Sequence, residues 1–215
     1  MRLTRKLNFE GTPVSKPISA TFVPGSTLGT AFQTRTSLWL RSAGLVLAAS
    51  ALVGVCAHLA LPLYFTPVPL SLAPFAVLVI GLLFSPRLAA ATLGAYLLEG
   101  AAGLPVFSPT PAIPGVAHLL GPTGGYLLSY PLAAALIAFL VRRTSRGFVP
   151  ALLSAALGSF VILASGALWL AALTHASLAL VAGQAVVPFL PVDALKVAAA
   201  AGLAAGWVRL RRRPA

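Results

Sequence analysis

From residue 42 onward the chain is a succession of apolar runs separated by short breaks. Six runs stand out, at 42–61, 70–84, 88–104, 125–141, 148–172 and 191–208. About 20 apolar residues carry a helix across a bilayer core. The first and fifth runs reach that length, and the second to fourth are short for it. The breaks are of two alternating kinds. "PLYFTPVPLS" closes the first run with three prolines, which a helix interior does not accept. "SPR" separates the second run from the third, "RRTSR" ends the fourth and "RLRRR" ends the sixth. The pattern predicts an all-α, polytopic membrane protein with six transmembrane helices.

Composition supports lipid as the main solvent. Of the 215 residues 59% are apolar and only 8% charged, against roughly a quarter charged in soluble domains. A net charge of +12 would suit nucleic acid, but its distribution does not. All but one of the 15 Lys and Arg lie in the segments 1–41, 85–87, 142–147 and 209–215. The breaks at 62–69, 104–124 and 173–190 hold none. Cationic loops stay on the cytoplasmic side, so the pattern predicts both termini inside, a multi-pass protein of the cell membrane, and no nucleic-acid partner. Residues 1–37 are polar, with Glu10 their one acid. They read as a disordered tail ahead of a membrane domain at 38–215. Cys56 is the single cysteine, and the three His have no metal-ligand spacing. No metal or cofactor is expected.

The unusual residues gather on the predicted outer side. A connection near 104–124 without a charge is more often functional than idle. It ends in "GPTGGY", where Gly124 and Gly125 permit close backbone approach and Tyr126 offers a ring with a polar tip. Two readings stand: a ligand-binding turn at a helix N-terminus, or a tight turn between packed helices. Asp193 and Lys196 are three apart and share a helix face. Asp193 suits a helix start in its own right. A membrane-embedded Lys196 requires a partner, either Asp193 or an anionic ligand group. Glu99 is a proton or ligand site, or a hydrogen-bond partner of Tyr96 or of backbone. His58, His118 and His175 fit ordinary hydrogen bonding.

No phosphate loop is present, since none of the three lysines is followed by Ser or Thr. ATP hydrolysis would therefore come from another chain. A G-x-S-x-G elbow is also absent. An intramembrane hydrolase or transferase would have to bring His118 together with Asp193 or Glu99. Small residues four apart, Gly44 and Ala48 in the first run and Ala151, Ala155 and Ser159 in the fifth, let helices approach closely. They serve either the protein's own bundle or a partner.

Three stretches in order, "TPVPLSLAPFAVLVIGLLFSPRLAAATLGAYLLEGAAGLPVF", "GPTGGYLLSYPLAA" and "FLPVDALK", resemble the BioY family. BioY proteins are the biotin-binding S components of energy-coupling factor transporters. The resemblance covers residues 60–208 and implies a six-helix protein that captures biotin from outside and is not an enzyme. It implies partners as well: a transmembrane coupling protein with two cytoplasmic ATPases, or a homo-oligomer. Asp193 and Lys196 match the family's D-x-x-K pair, and the glycine-rich segment places Thr123, Gly124, Gly125 and Tyr126 at the ligand. Phe107 and Ser108 join them from the outer loop. That loop lacks Arg and Asn, so its polar contacts fall to Ser108, Thr123, Tyr126 and His118. Gly44 and Ala48 match the docking surface for the coupling protein.

Overall fold

The computed structural model describes residues 27–110, 113–144 and 147–212, with side chains from Leu40 to Arg211. Residues 1–26, most of the expected tail, lie outside the described residues. Helix α1 (Thr27–His58) starts well before the first apolar run. A two-stranded antiparallel hairpin follows, β1 (Ala60–Leu61) and β2 (Leu70–Ser71), with Ala60 opposite Ser71 and Leu61 opposite Leu70. Its loop carries the three prolines, and Thr66 Oγ1 accepts the Val68 N–H at 3.3 Å. Then come α2 (Ala73–Leu83) and α3 (Pro86–Ala101). Pro86 in the first turn and Ser85 as cap, its hydroxyl accepting the Leu88 N–H at 3.3 Å, start α3 directly after α2.

A short α4 (Val116–Leu119) lies in the long loop before α5 (Gly124–Arg143). Helix α6 (Phe148–Thr174) ends at His175 in the left-handed region, φ 53°. The break expected at 173–190 is not a plain loop. Ser177 caps α7 (Leu178–Ala185) by accepting the Leu180 N–H at 3.3 Å, and a 3-10 turn, Val187–Phe189, leads into α8 (Leu190–Arg212). Among the described residues four helical stretches are long and apolar enough to cross a membrane: Leu40–His58, Gly124–Arg143, Phe148–Thr174 and Leu178–Arg211. Helices α2 and α3, with 11 and 16 residues, fall short of that length.

Helix α5 is the centre of the bundle, packed by α2, α3 and α6. Its partner α6 buries Ala151, Ala155, Gly158, Ile162, Gly166 and Leu170, a stripe at three- and four-residue steps. Small residues there let the two backbones come close. Helix α8 does the same with Val197, Ala200, Ala201 and Ala204. Asp193 and Lys196 occupy the first turns of that buried stripe. Outward faces carry large apolar side chains such as Leu47, Leu132, Phe139, Phe160 and Leu203, as lipid-facing surfaces do.

Candidate functional site

A cavity of about 630 Å³, its mouth included, lies where the hairpin, the start of α2 and the loop before α5 meet α3, α5, α6 and α8. Its walls are apolar and aromatic, with Val68, Pro74, Leu127, Ile162 and Phe189 among them. Its polar groups come from Ser71, Tyr96, Ser108, His118, Thr123, Asp193 and Lys196.

Asp193 and Lys196 face each other at 3.5 Å and are 8% and 7% exposed, so the pair is buried. Lys196 Nζ also donates to the Ser71 carbonyl of β2 at 2.8 Å. The second Asp193 oxygen accepts the Ser159 hydroxyl of α6. Every charge is thereby answered, and the pair binds the hairpin, α6 and α8 together. Two of the three ammonium hydrogens are engaged, leaving one for a ligand. Ser159 and Ser71 escaped sequence reasoning. Ser159 was visible only as the polar member of a small-residue stripe, and Ser71 acts through its backbone.

The "GPTGGY" segment is locked to α6. Trp169 Nε1 donates to the Gly121 carbonyl at 2.9 Å. A Cβ on Gly124 would collide with the Leu119 carbonyl, and one on Gly125 with Trp169. Neither glycine lines the cavity. Both sit in right-handed helical backbone, so their use is close packing, the second of the two readings above, and not approach to a ligand. Thr123 and Tyr126 do line it. The Tyr126 ring fits against Gly166, and its hydroxyl donates to the Ala185 carbonyl of α7 at 3.0 Å.

Phe107 is buried but lies behind the wall. Its ring meets Tyr96 edge-on at 5.4 Å and stacks on His118 at 5.0 Å, while Tyr96 stacks on Tyr130 at 6.4 Å. This row of rings fixes the positions of Tyr96 and His118. His118 Nδ1 lies 3.0 Å from the Ile113 carbonyl. A carbonyl only accepts, so Nδ1 carries the proton and Nε2 of the neutral ring is an acceptor. Burial pushes this imidazole below its ordinary pKa, against the opposite pull of the Ile113 carbonyl.

Glu99 stands apart. Its carboxylate accepts the Ser50 hydroxyl of α1 at 2.8 and 3.0 Å, rather than bonding Tyr96 or backbone, and it does not line the cavity. His118 and Asp193 share the cavity wall, and Glu99 is not gathered with them. Gly44 and Ala48 are exposed on α1, and nothing lies within 4 Å of where a Gly44 Cβ would be. Ala151, Ala155 and Ser159 are by contrast buried within the bundle.

The fold is shared with known proteins. A crystal structure of the S-component for biotin from an ECF-type ABC transporter superposes with a TM-score of 0.73 at 26% identity, covering 83% of this chain and 94% of that one. A probable biotin transporter BioY of Pyrococcus horikoshii is 38% identical over 62% of this chain and 76% of its own length. The biotin transporter BioY2 of Lactococcus lactis subsp. cremoris is 32% identical over 73% of this chain and 84% of its own. Residues 26–213 match the BioY family as a whole, and the chain belongs to the BioY family.

Proposed function

We propose that the protein takes up biotin as the substrate-capture component of an energy-coupling factor transporter. The observation that carries this reading is the buried Asp193–Lys196 pair at the edge of an apolar, aromatic cavity. Biotin offers an anionic valerate tail, a neutral ureido ring and an apolar body. The free hydrogen of Lys196 suits the anion, and the ring-lined walls suit the body. Asp193, Lys196, Tyr126, Thr123 and Ser108 hold the ligand. Phe107, Gly124 and Gly125 support these residues from behind.

The four long spans and the shorter α2 and α3 together make six crossings of the cell membrane. The Arg-rich helix ends and both termini are cytoplasmic, and the cavity opens outward. Residues 38–215 form the membrane domain. The chain performs no chemistry and needs no cofactor. Energy comes from two cytoplasmic ATPases through a transmembrane coupling protein, which docks on α1 at Gly44 and Ala48, where close backbone approach is open.

The test is purification from cells grown in biotin-containing medium, followed by mass spectrometry of the denatured protein. Stoichiometric unmodified biotin is the expected result. Protein that carries none, and binds none when biotin is added back, would overturn the reading.

A further inference from the structure

Two polar groups in the cavity are left unused by the Asp193–Lys196 cluster. Tyr96 is 0% exposed and Thr123 is 8% exposed, and both line the cavity. Among the described residues neither Tyr96 Oη nor Thr123 Oγ1 has a hydrogen-bond partner. Nearly all buried polar groups are paired, and an unpaired one costs about 1–3 kcal/mol. Two orphans in one cavity point to a ligand.

Local structure explains why each hydroxyl is free. The Tyr96 ring is pinned between Phe107 and Tyr130, so its hydroxyl cannot swing away to another partner. Thr123 precedes α5, where a threonine with extended backbone would cap the helix. Its backbone is instead helical, φ −90° and ψ −4°, and its side chain makes no cap bond.

The character of the ligand atom follows from charge. Both groups are neutral hydroxyls, which can donate or accept, and with Asp193 and the His118 Nε2 already supplying acceptors to the cavity, donation is the role left to them. The cavity's cation, Lys196, already has a free hydrogen for an anion. A second anion beside Tyr96 and Thr123 would be buried without a counter-charge. We infer that Tyr96 and Thr123 form a second polar subsite, distinct from the Asp193–Lys196 pair, whose hydroxyls donate to an uncharged carbonyl oxygen of the ligand. On the biotin reading, on which this rests, that oxygen belongs to the ureido ring and has lone pairs for both donors. Such a subsite discriminates against analogues that lack the carbonyl.

The test uses the purified full chain in detergent with Tyr96→Phe, Thr123→Val and Thr123→Ser. Biotin affinity is measured by titration, and thermal stability is measured without ligand. Tyr96→Phe and Thr123→Val are each expected to weaken biotin binding about tenfold, the cost of leaving a ligand carbonyl unpaired. Ligand-free stability should hold or rise, because an unpaired buried hydroxyl has been removed. Thr123→Ser, which keeps the hydroxyl, should bind like the parent. Unchanged affinity in both Tyr96→Phe and Thr123→Val would overturn the subsite, as would a loss of ligand-free stability with affinity intact. Failure of the parent protein to bind biotin is a separate result, which removes the biotin reading itself.

Discussion

The two ends of the helix bundle are built on opposite principles. Toward the basic end, α2, α5, α6 and α8 meet in a cluster of Leu78, Leu82, Ile137, Val141, Val197 and a run of alanines, with no aromatic side chain in its buried set. Toward the cavity the buried set holds Tyr96 of α3, Phe107 of the long loop, Tyr126 and Tyr130 of α5 and Phe189 of the 3-10 turn. Small residues bring helices into contact at both ends, and at the cavity end rigid rings also prop them apart and wall a space. Helix α5 contains both regimes. Tyr126 lines the cavity, and Arg142 lies 16 residues further on, about 24 Å along the axis at 1.5 Å per residue. Specific chemistry is confined to the propped end, and the close-packed end holds the frame on which that chemistry is positioned.

Substitutions at the two ends should separate binding from stability. The largest effect is expected at the ion pair. Asp193→Ala leaves Lys196 buried without its acid and should lower stability by about 3–5 kcal/mol. Lys196→Ala should weaken biotin binding by at least about 2 kcal/mol, as should Asp193→Ala where it folds. A double variant, Asp193→Asn with Lys196→Met, removes both charges. It should recover stability but not binding, as thermal melts and biotin titrations on the same preparations would reveal. Recovery of both would detach the pair from the ligand.

At the close-packed end Ile137 is fully buried, and its side chain fills the room left by Gly81 and Gly158. Ile137→Ala should lower stability by about 2–4 kcal/mol through the cavity it creates. Biotin affinity, measured below the melting temperature, should stay within about twofold. A large loss of affinity there would blur the division between the two ends.

Smaller effects should come from the groups that support the pair. Ser159→Ala removes one donor to the Asp193 carboxylate, a bond to a charged group worth about 1.5–3 kcal/mol. Part of that should appear as weaker biotin binding. The smallest effect is a pH response. Because burial lowers the His118 pKa, the unfolded chain takes up a proton near pH 6.5 before the folded one does. That contribution to stability is full above about pH 6.5 and declines as pH falls below it. His118→Gln should flatten this part of the pH–melting curve, and an unaltered curve would remove His118 as its source.

Much of the frame was legible in the sequence, because long apolar runs bounded by arginines leave few options in lipid. The spacing of Asp193 and Lys196 likewise foretold a shared face, since three residues on a helix allow little else. What stayed hidden depends on tertiary contact. The hairpin of Ala60–Leu61 with Leu70–Ser71 is too short to leave a strand pattern, and its prolines read only as a helix stop. Helix α7 was concealed in an apolar stretch that periodicity could not divide. Tyr96 and Glu99 are near in sequence, but the Tyr96 ring belongs to the cavity and Glu99 takes its hydrogen bond from Ser50. The glycines before Tyr126 invited a ligand reading, but Trp169 and the Leu119 carbonyl, remote in sequence or hidden in a loop, take the space they leave.

The central claim, that biotin enters this cavity from outside the cell, meets its most direct test at Ser108, a half-buried lining residue on the loop before α5. With the single native cysteine removed by Cys56→Ala, Ser108→Cys can be probed in intact cells with a membrane-impermeant maleimide. The expected result is labelling from the outer face and protection by added biotin. Labelling only after the inner face is exposed, or labelling that biotin leaves unchanged, would contradict it.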